Sequence, residues 1–157
     1  SAMLAEAYVL HQPLIEANGE LYSDERRHRI LAGQAILAQD YIRAGRARRV
    51  VIERTRAALS GVDVLAMPTL AVQPLLVADV TGWDSSRILV RNTAPFNQCG
   101  VPAVTLPVAT ASTGAPIGFQ LVADAFDDYA LLAIAERLEE AVGFAEAPPV
   151  LTEPASV

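Results

Sequence analysis

Only one cysteine, Cys99, occurs in the 157 residues, so there is no disulfide framework and no cysteine-rich metal cluster. Cytoplasmic residence is the expectation for such a chain. No apolar run approaches the roughly 18 residues that a membrane span needs, and the N-terminus carries no secretory pattern. Positive charge is scarce as well: a net charge of −6 and a pI near 4.8 argue against a nucleic-acid partner, which needs a basic face to neutralise phosphates. Lysine is absent altogether, all twelve basic residues being arginine. No internal repeat is found.

What the chain holds in quantity is apolar. Hydrophobic residues make up 52% of it and the mean hydropathy is +0.30, enough for one globular domain that buries roughly two thirds of its unfolded surface. Much of this is Ala, Val and Leu in short runs, which suits a layer from a larger α/β body. The one concentration of positive charge, Arg43, Arg46, Arg48, Arg49, Arg54 and Arg56 beside Glu53, reads as the solvated face of a helix; transfer-RNA binding is the other reading.

The most constrained text lies in 93–123. Val101, Ala103, Val104 and Leu106 form an apolar run bounded by Gly100, Pro102 and Pro107, and Ile117, Phe119, Leu121 and Val122 form a second run after Gly114 and Pro116. Both read as buried strands, joined by a turn over 110–114. Proline cannot donate to a central ladder, so Pro102 and Pro107 are placed at the ends of the first strand. A buried amide must find partners, so Asn97 is expected to bond the backbone that shapes the loop before Gly100. Cys99, with no histidine beside it in sequence, reads as core filler rather than nucleophile.

Upstream, 4–17 has helical spacing that Pro13 should end or kink near Gln12, with Gly19 closing the segment. Ser23 suits an N-cap, with Asp24 and Glu25 in the first turn of a helix running toward Ala32. Leu37, Tyr41, Ala44, Arg48, Val51, Thr55 and Ala58 alternate spacings of four and three. This predicts one long helix from about Ala38 to Leu59, ended by Gly61, whose stripe packs on a sheet or a neighbouring helix. Residues 62–67 read as a short buried strand stopped by Pro68. A long loop over 69–85 holds Pro74, Gly82 and Trp83, and Ser85 or Ser86 caps a helix through Arg91. Tyr129, Leu131, Leu132, Ala135, Leu138 and Val142 predict an amphipathic helix capped by Asp127 and ended by Gly143. A proline-rich tail, 144–157, follows. Ser1 and Ala2 ahead of Met3 read as the remnant of a cleaved tag, so 1–3 are set aside. His11 and His28 have no acid or nucleophile beside them and read as surface or packing residues.

Asn97, Gly100, Pro102, Ala103 and Pro107, followed by Gly114, Pro116, Gly118 and Gln120, resemble the C-terminal landmarks of the amidase signature family. That family comprises hydrolases of linear amides and the A subunit of glutaminyl-tRNA amidotransferase. Asp63-Val64-Leu65-Ala66-Met67-Pro68-Thr69 is similar to the strand and Pro-Thr corner that precede those landmarks, and the order and spacing agree. The likeness covers about 29–141, with Ala115 where Leu is usual and Ala123 where Gly is usual. It implies an α/β class, with helices packed on a mixed β-sheet in a layered α/β/α fold. It also implies that 1–157 is the C-terminal part of a single larger amidase domain.

The same resemblance implies chemistry that this chain lacks. Members of the family are similar in using a Lys, a Ser in a cis peptide and a nucleophilic Ser, the serines lying in an upstream Gly/Ser-rich signature. Here there is no lysine and no Gly-Gly-Ser-Ser-Gly run, so no residue is assigned a catalytic role. No cofactor and no metal is implied. The full-length parent would cleave carbon–nitrogen bonds of small-molecule amides through an acyl-enzyme, and this portion alone would be inactive.

Arg29-Ile30-Leu31-Ala32-Gly33 resembles a family motif in which Arg stands four positions before Gly. The resemblance implies that Arg29 contacts a substrate carboxylate, a task to which guanidinium is suited; an ordinary helix-surface arginine is the alternative. In the family the loop corresponding to Trp83 helps to line the acyl side of the pocket, so Trp83 is either a pocket wall or packing over the core. Pro68, Thr69, Asn97, Gly100, Pro102, Gly118 and Gln120 are expected as structural motif residues. A truncated binding or scaffold homologue is a second reading. A third is a component of a tRNA amidotransferase, disfavoured by the acidic pI and by Val90, where the tRNA amidotransferase relatives place an Asp. Cutting a layered domain uncovers a sheet edge and an apolar face, so a homodimer through that surface is expected, with no membrane and no nucleic-acid partner.

Overall fold

The computed structural model describes residues 2–80 and 87–146, and the chain divides into two compact units, 1–53 and 54–157. The expected loop around Trp83, the caps at Ser85 and Ser86, and the tail from 147 lie outside the described residues.

The first unit is helical. Helix α1 (Ala2–Asn18) leads through a 3-10 turn (Gly19–Leu21) into α2 (Asp24–Leu31), a second 3-10 turn (Ala32–Ala35) and the start of α3 (Ala38–Leu59). α1 runs unbroken through Pro13, where an end or kink near Gln12 was expected. Proline forfeits a single helical bond, here the one to the Val9 carbonyl, and α1 packs on α2 and on the second 3-10 turn, contacts that offset that loss. Gly33 sets that packing. A Cβ at this position would lie 2.1 Å from the Leu4 carbonyl oxygen and 2.7 Å from the Tyr8 Cβ, so only glycine lets the turn meet the backbone of α1. Ser23 occupies the N-cap of α2 as expected, its carbonyl accepting the Arg27 N–H at 2.9 Å, but its hydroxyl makes no capping bond.

α3 has the predicted limits, yet its stripe is only partly covered. Val51, Ile52 and Thr55 are half-buried and Leu59 is buried, whereas Leu37, Tyr41 and Ile42 are exposed. The exposed half carries Arg43, Arg46, Arg48 and Arg49, whose charges keep it hydrated. Gly61, at φ +83°, ends the helix.

The second unit contains β1 (Leu65–Pro68), α4 (Ala94–Cys99), β2 (Ala103–Thr110), β3 (Pro116–Val122) and α5 (Asp128–Val142). The strand order is β1-β3-β2, with Met67 and Thr105 flanking Gln120 and with Leu65 and Ala103 flanking Val122. The α/β class holds, and among the described strands the pairing is antiparallel rather than mixed. β1 begins at Leu65 rather than at 62, because the Val62 N–H still bonds the Leu59 carbonyl at the end of α3. Pro107 lies inside β2 and not at its end. Among the described strands β2 is an outer one, with one row of N–H groups outside the ladder, and a register shift between Pro107 and Ala109 lets pairing resume as far as Thr110. α4 stands where a loop was expected; Pro95 occupies its first turn, and Gly100, at φ +70°, closes it by donating to the Phe96 carbonyl.

α5 covers one face of the sheet. Leu131 and Ala135 pack with Leu121 and Ala123, and Val64, Val104, Leu106, Phe119, Ile134 and Leu138 complete the cluster. Burying a leucine such as Leu121 or Leu131 contributes about 1.5–3 kcal/mol, so this cluster carries much of the unit's stability. None of the described helices is long and apolar enough to cross a membrane.

Candidate functional site

Strand alternation sorts the side chains of β3 onto two faces. Phe119 and Leu121 meet α5; Gly118 and Gln120 point the other way, on the face shared by Thr105 and Met67. Gln120 is only 2% exposed, and an amide so deeply buried must be bonded. Its Nε2 donates to the Asn92 carbonyl at 2.9 Å, and Asn92 donates from Nδ2 to the Pro68 carbonyl at 2.9 Å. The segment ahead of α4 is thereby tied to both β3 and β1.

The next residue continues the seam. The Thr69 N–H donates to the Gly118 carbonyl at 2.9 Å, and its hydroxyl donates to Thr105 Oγ1 at 3.3 Å. Gly118 has no room for a side chain, since a Cβ there would sit 2.9 Å from Thr69 Oγ1 and 3.0 Å from Thr105 Cγ2. Beside it, Leu70, Val72, Pro74 and Ile117 line an apolar cleft of about 210 Å³.

Of the residues expected in this motif, Pro68, Thr69, Gly118 and Gln120 come together. Gly100 closes α4, and the Pro102 carbonyl accepts the Ala123 N–H at 3.2 Å, extending the ladder past the start of β2. Asn97 does not join them. It is exposed on α4 with its backbone N–H on the Thr93 carbonyl, and it is Asn92, five residues earlier, whose side chain bonds backbone, at the Pro68 carbonyl rather than in the segment before Gly100. Asn92 and Thr105 were missed. Alternation carried the signal for Thr105, which lies between the core-facing Val104 and Leu106 and so shares the pleat of Gln120.

In the first unit, Arg29 is exposed on α2 and lines a cleft of about 340 Å³ with His11, Tyr22, Ser23, Arg26 and Ile30. His11 Nδ1 and the Tyr22 hydroxyl lie 2.9 Å apart with their rings edge to face, the partly packed histidine that was expected. Trp83 lies outside the described residues. The Cys99 thiol donates to Thr55 Oγ1 at 3.3 Å and is half-buried, the environment of a filler and not of an activated nucleophile. Pro68, Thr69, Asn92, Thr105, Gly118 and Gln120 include no group that titrates near neutral pH. The seam can order backbone and shape a cleft; activating a hydroxyl requires a base from elsewhere.

Residues 3–132 match the amidase family. This chain belongs to that family. The amidase-family chain is 32% identical over 133 residues to the A subunit of the glutamyl-tRNA(Gln) amidotransferase of Prosthecochloris aestuarii, a match covering 81% of this chain and 28% of that protein. A crystal structure of an amidase resembles it with a TM-score of 0.78 at 28% identity, covering 88% of this chain and 33% of that one. An allophanate hydrolase of Kluyveromyces lactis resembles it with a TM-score of 0.73 at 26% identity, covering 90% of this chain and 24% of that one. The amidase-family chain thus spans well under half the length of each of these relatives.

Proposed function

We propose that this chain is the C-terminal part of an amidase-signature hydrolase whose full-length form cleaves the carbon–nitrogen bond of a small linear amide, and that the chain by itself is inactive. One observation carries this reading: the family match runs over 3–132 of the chain, while the chain accounts for only 28% of the curated relative. In the parent, a serine attacks the amide carbonyl and forms an acyl-enzyme, a lysine and a second serine move the proton, and backbone amides stabilise the oxyanion. The lysine must come from the rest of the parent, because this chain has none.

The portion in hand contributes a brace and a wall. The Gln120–Asn92–Pro68 and Thr69–Gly118 bonds hold the strand ends in place, and the cleft of Leu70, Val72, Pro74 and Ile117 supplies part of the acyl side of the substrate pocket. Arg29 contacts a carboxylate on substrates that carry one. Both units belong to one layered parental domain, cytoplasmic in location, and the apolar surface left open in this portion pairs two copies as a homodimer.

Purified chain incubated with acetamide and benzamide should release ammonia no faster than buffer, and turnover above that rate would contradict the inactive-portion reading. The reading frame upstream of Leu4 should encode a lysine and a Gly/Ser-rich run; a frame without them would favour a scaffold homologue. A component of a tRNA amidotransferase is the second reading, favoured by the identity of the curated relative and disfavoured by Val90 and the pI near 4.8. Salt-sensitive binding of transfer RNA by the full-length protein would establish it.

A further inference from the structure

The cleft between α1 and α2 sets several hydrogen-bond donors over an apolar floor. Leu4, Ala7 and Ile30 make the floor, the first two half-buried and the third buried. His11, Tyr22, Ser23, Glu25, Arg26 and Arg29 stand around it. One hydrogen bond of 2.9 Å joins His11 Nδ1 to the Tyr22 hydroxyl. Where the phenol donates, the neutral imidazole carries its proton on Nε2; where Nδ1 donates, the phenol keeps its own proton. Either way the pair retains one donor beyond its internal bond. The Ser23 hydroxyl, which makes no capping bond, is another.

Charge points the same way. Arg27 is paired with Asp24 at 2.7 Å and reaches the Gly19 carbonyl at 3.5 Å. Arg26 is exposed, with neither ion pair nor hydrogen bond among the described residues, and it stands three positions before Arg29, on the same face of α2. Two guanidinium groups thus border the cleft against one carboxylate, that of Glu25. Its volume of about 340 Å³ suits a small molecule, and apolar walls with a few placed polar groups are what such sites have. We infer that this cleft binds a small monocarboxylate carried on a hydrocarbon stem. Arg26 and Arg29 hold the carboxylate, the His11–Tyr22 pair supplies a further donor, and Leu4, Ala7 and Ile30 cover the stem. This rests on the reading of Arg29 above, adds Arg26 as a second cation and makes the ligand an amphipathic acid.

Methyl NMR titration of the purified chain with phenylacetate tests it. Saturable shifts of the Leu4 and Ile30 methyl signals are expected at about millimolar concentration, with the Leu121 signals of the second unit unmoved. Phenylacetamide lacks the charge and acetate lacks the stem, so each should bind at least about tenfold more weakly. Arg26→Gln should weaken phenylacetate binding at least about fivefold without changing that of the amide, and Glu25→Gln should strengthen it by removing the opposing charge. Equal affinity for the acid and the amide, or no saturable shift at Leu4 and Ile30, would overturn the inference together with the Arg29 contact. Wild-type affinity in Arg26→Gln, with loss in Arg29→Gln, would overturn the two-cation site and leave the Arg29 contact standing. Amide cleavage by the full-length parent is decided separately, by its release of ammonia.

Discussion

Gln120 and Asn92 lie 28 positions apart in sequence and are joined by a 2.9 Å bond from a side-chain amide to a backbone carbonyl. Gln120→Met keeps the length of the side chain and removes the donor, leaving the Asn92 carbonyl short of a partner. Asn92 is only half-buried, so water recovers part of the loss, and the expected cost is about 1–2 kcal/mol. Asn92→Ala deletes only the more exposed bond to Pro68 and should cost less. Guanidinium denaturation checks both: the midpoint should fall further for Gln120→Met, with the slope unchanged.

Gly118→Ala forces a methyl against Thr69 Oγ1 and Thr105 Cγ2, at 2.9 and 3.0 Å, and should destabilise by about 1–3 kcal/mol. Thr69→Ala removes the nearest of these obstacles, leaving the position-69 Cβ at 3.2 Å. The double variant should therefore lose less than the sum of the two single losses, a coupling of about 0.5 kcal/mol or more. Simple additivity in the same denaturation series would show that the contact does not set the cost.

Gly33→Ala meets backbone rather than a flexible side chain, since its Cβ would lie 2.1 Å from the Leu4 carbonyl oxygen. A helix must move to make room, and the expected loss is about 2–4 kcal/mol. Hydrogen exchange should report it as faster exchange in α1 and α2. Gly45→Ala is the control: its Cβ meets nothing, and relief of helical glycine should stabilise the chain by about 0.5–1 kcal/mol.

The Tyr41 hydroxyl donates to Glu6 Oε1 at 3.0 Å. That hydrogen bond, followed by the Glu6 charge and slight burial, holds the phenol above its ordinary value near 10, with Arg48 opposing. A pKa raised by folding favours the folded state while the phenol is protonated. This contribution is complete below about pH 10 and disappears as the pH climbs through the folded-state value. Absorbance titration of the four tyrosines should resolve one late-titrating phenol that moves down in Glu6→Gln. Identical titrations of the two proteins would remove Glu6 as the cause.

Features written within a few residues were legible in the sequence. The limits of α3 followed from its spacing, Gly61 and Gly143 ended helices where expected, and Gly114 lies in the expected turn between β2 and β3, each at positive φ, because turn chemistry is local. The places of the two strands of 93–123 and the face of α5 were legible for the same reason, as apolar runs and helical period need only neighbours; their burial was not, since β3 ends in a buried run whereas β2 alternates half-buried and exposed residues. The landmarks Pro68, Thr69, Gly118 and Gln120 could be named from their order along the chain. Their hydrogen bonds could not.

Only the tertiary structure decided which asparagine holds the seam, since Asn92 reaches Pro68 and receives Gln120 across separations of 24 and 28 residues, and nothing nearby in sequence distinguishes it from Asn97. It also decided that Pro107 lies inside a strand, because tolerance of proline depends on whether another strand pairs at that edge. Gly33 and Gly118 are required by contacts with Leu4 and Thr69, partners brought close by packing. Local propensity specifies elements, and steric and hydrogen-bond complementarity between distant segments specifies what those elements do together.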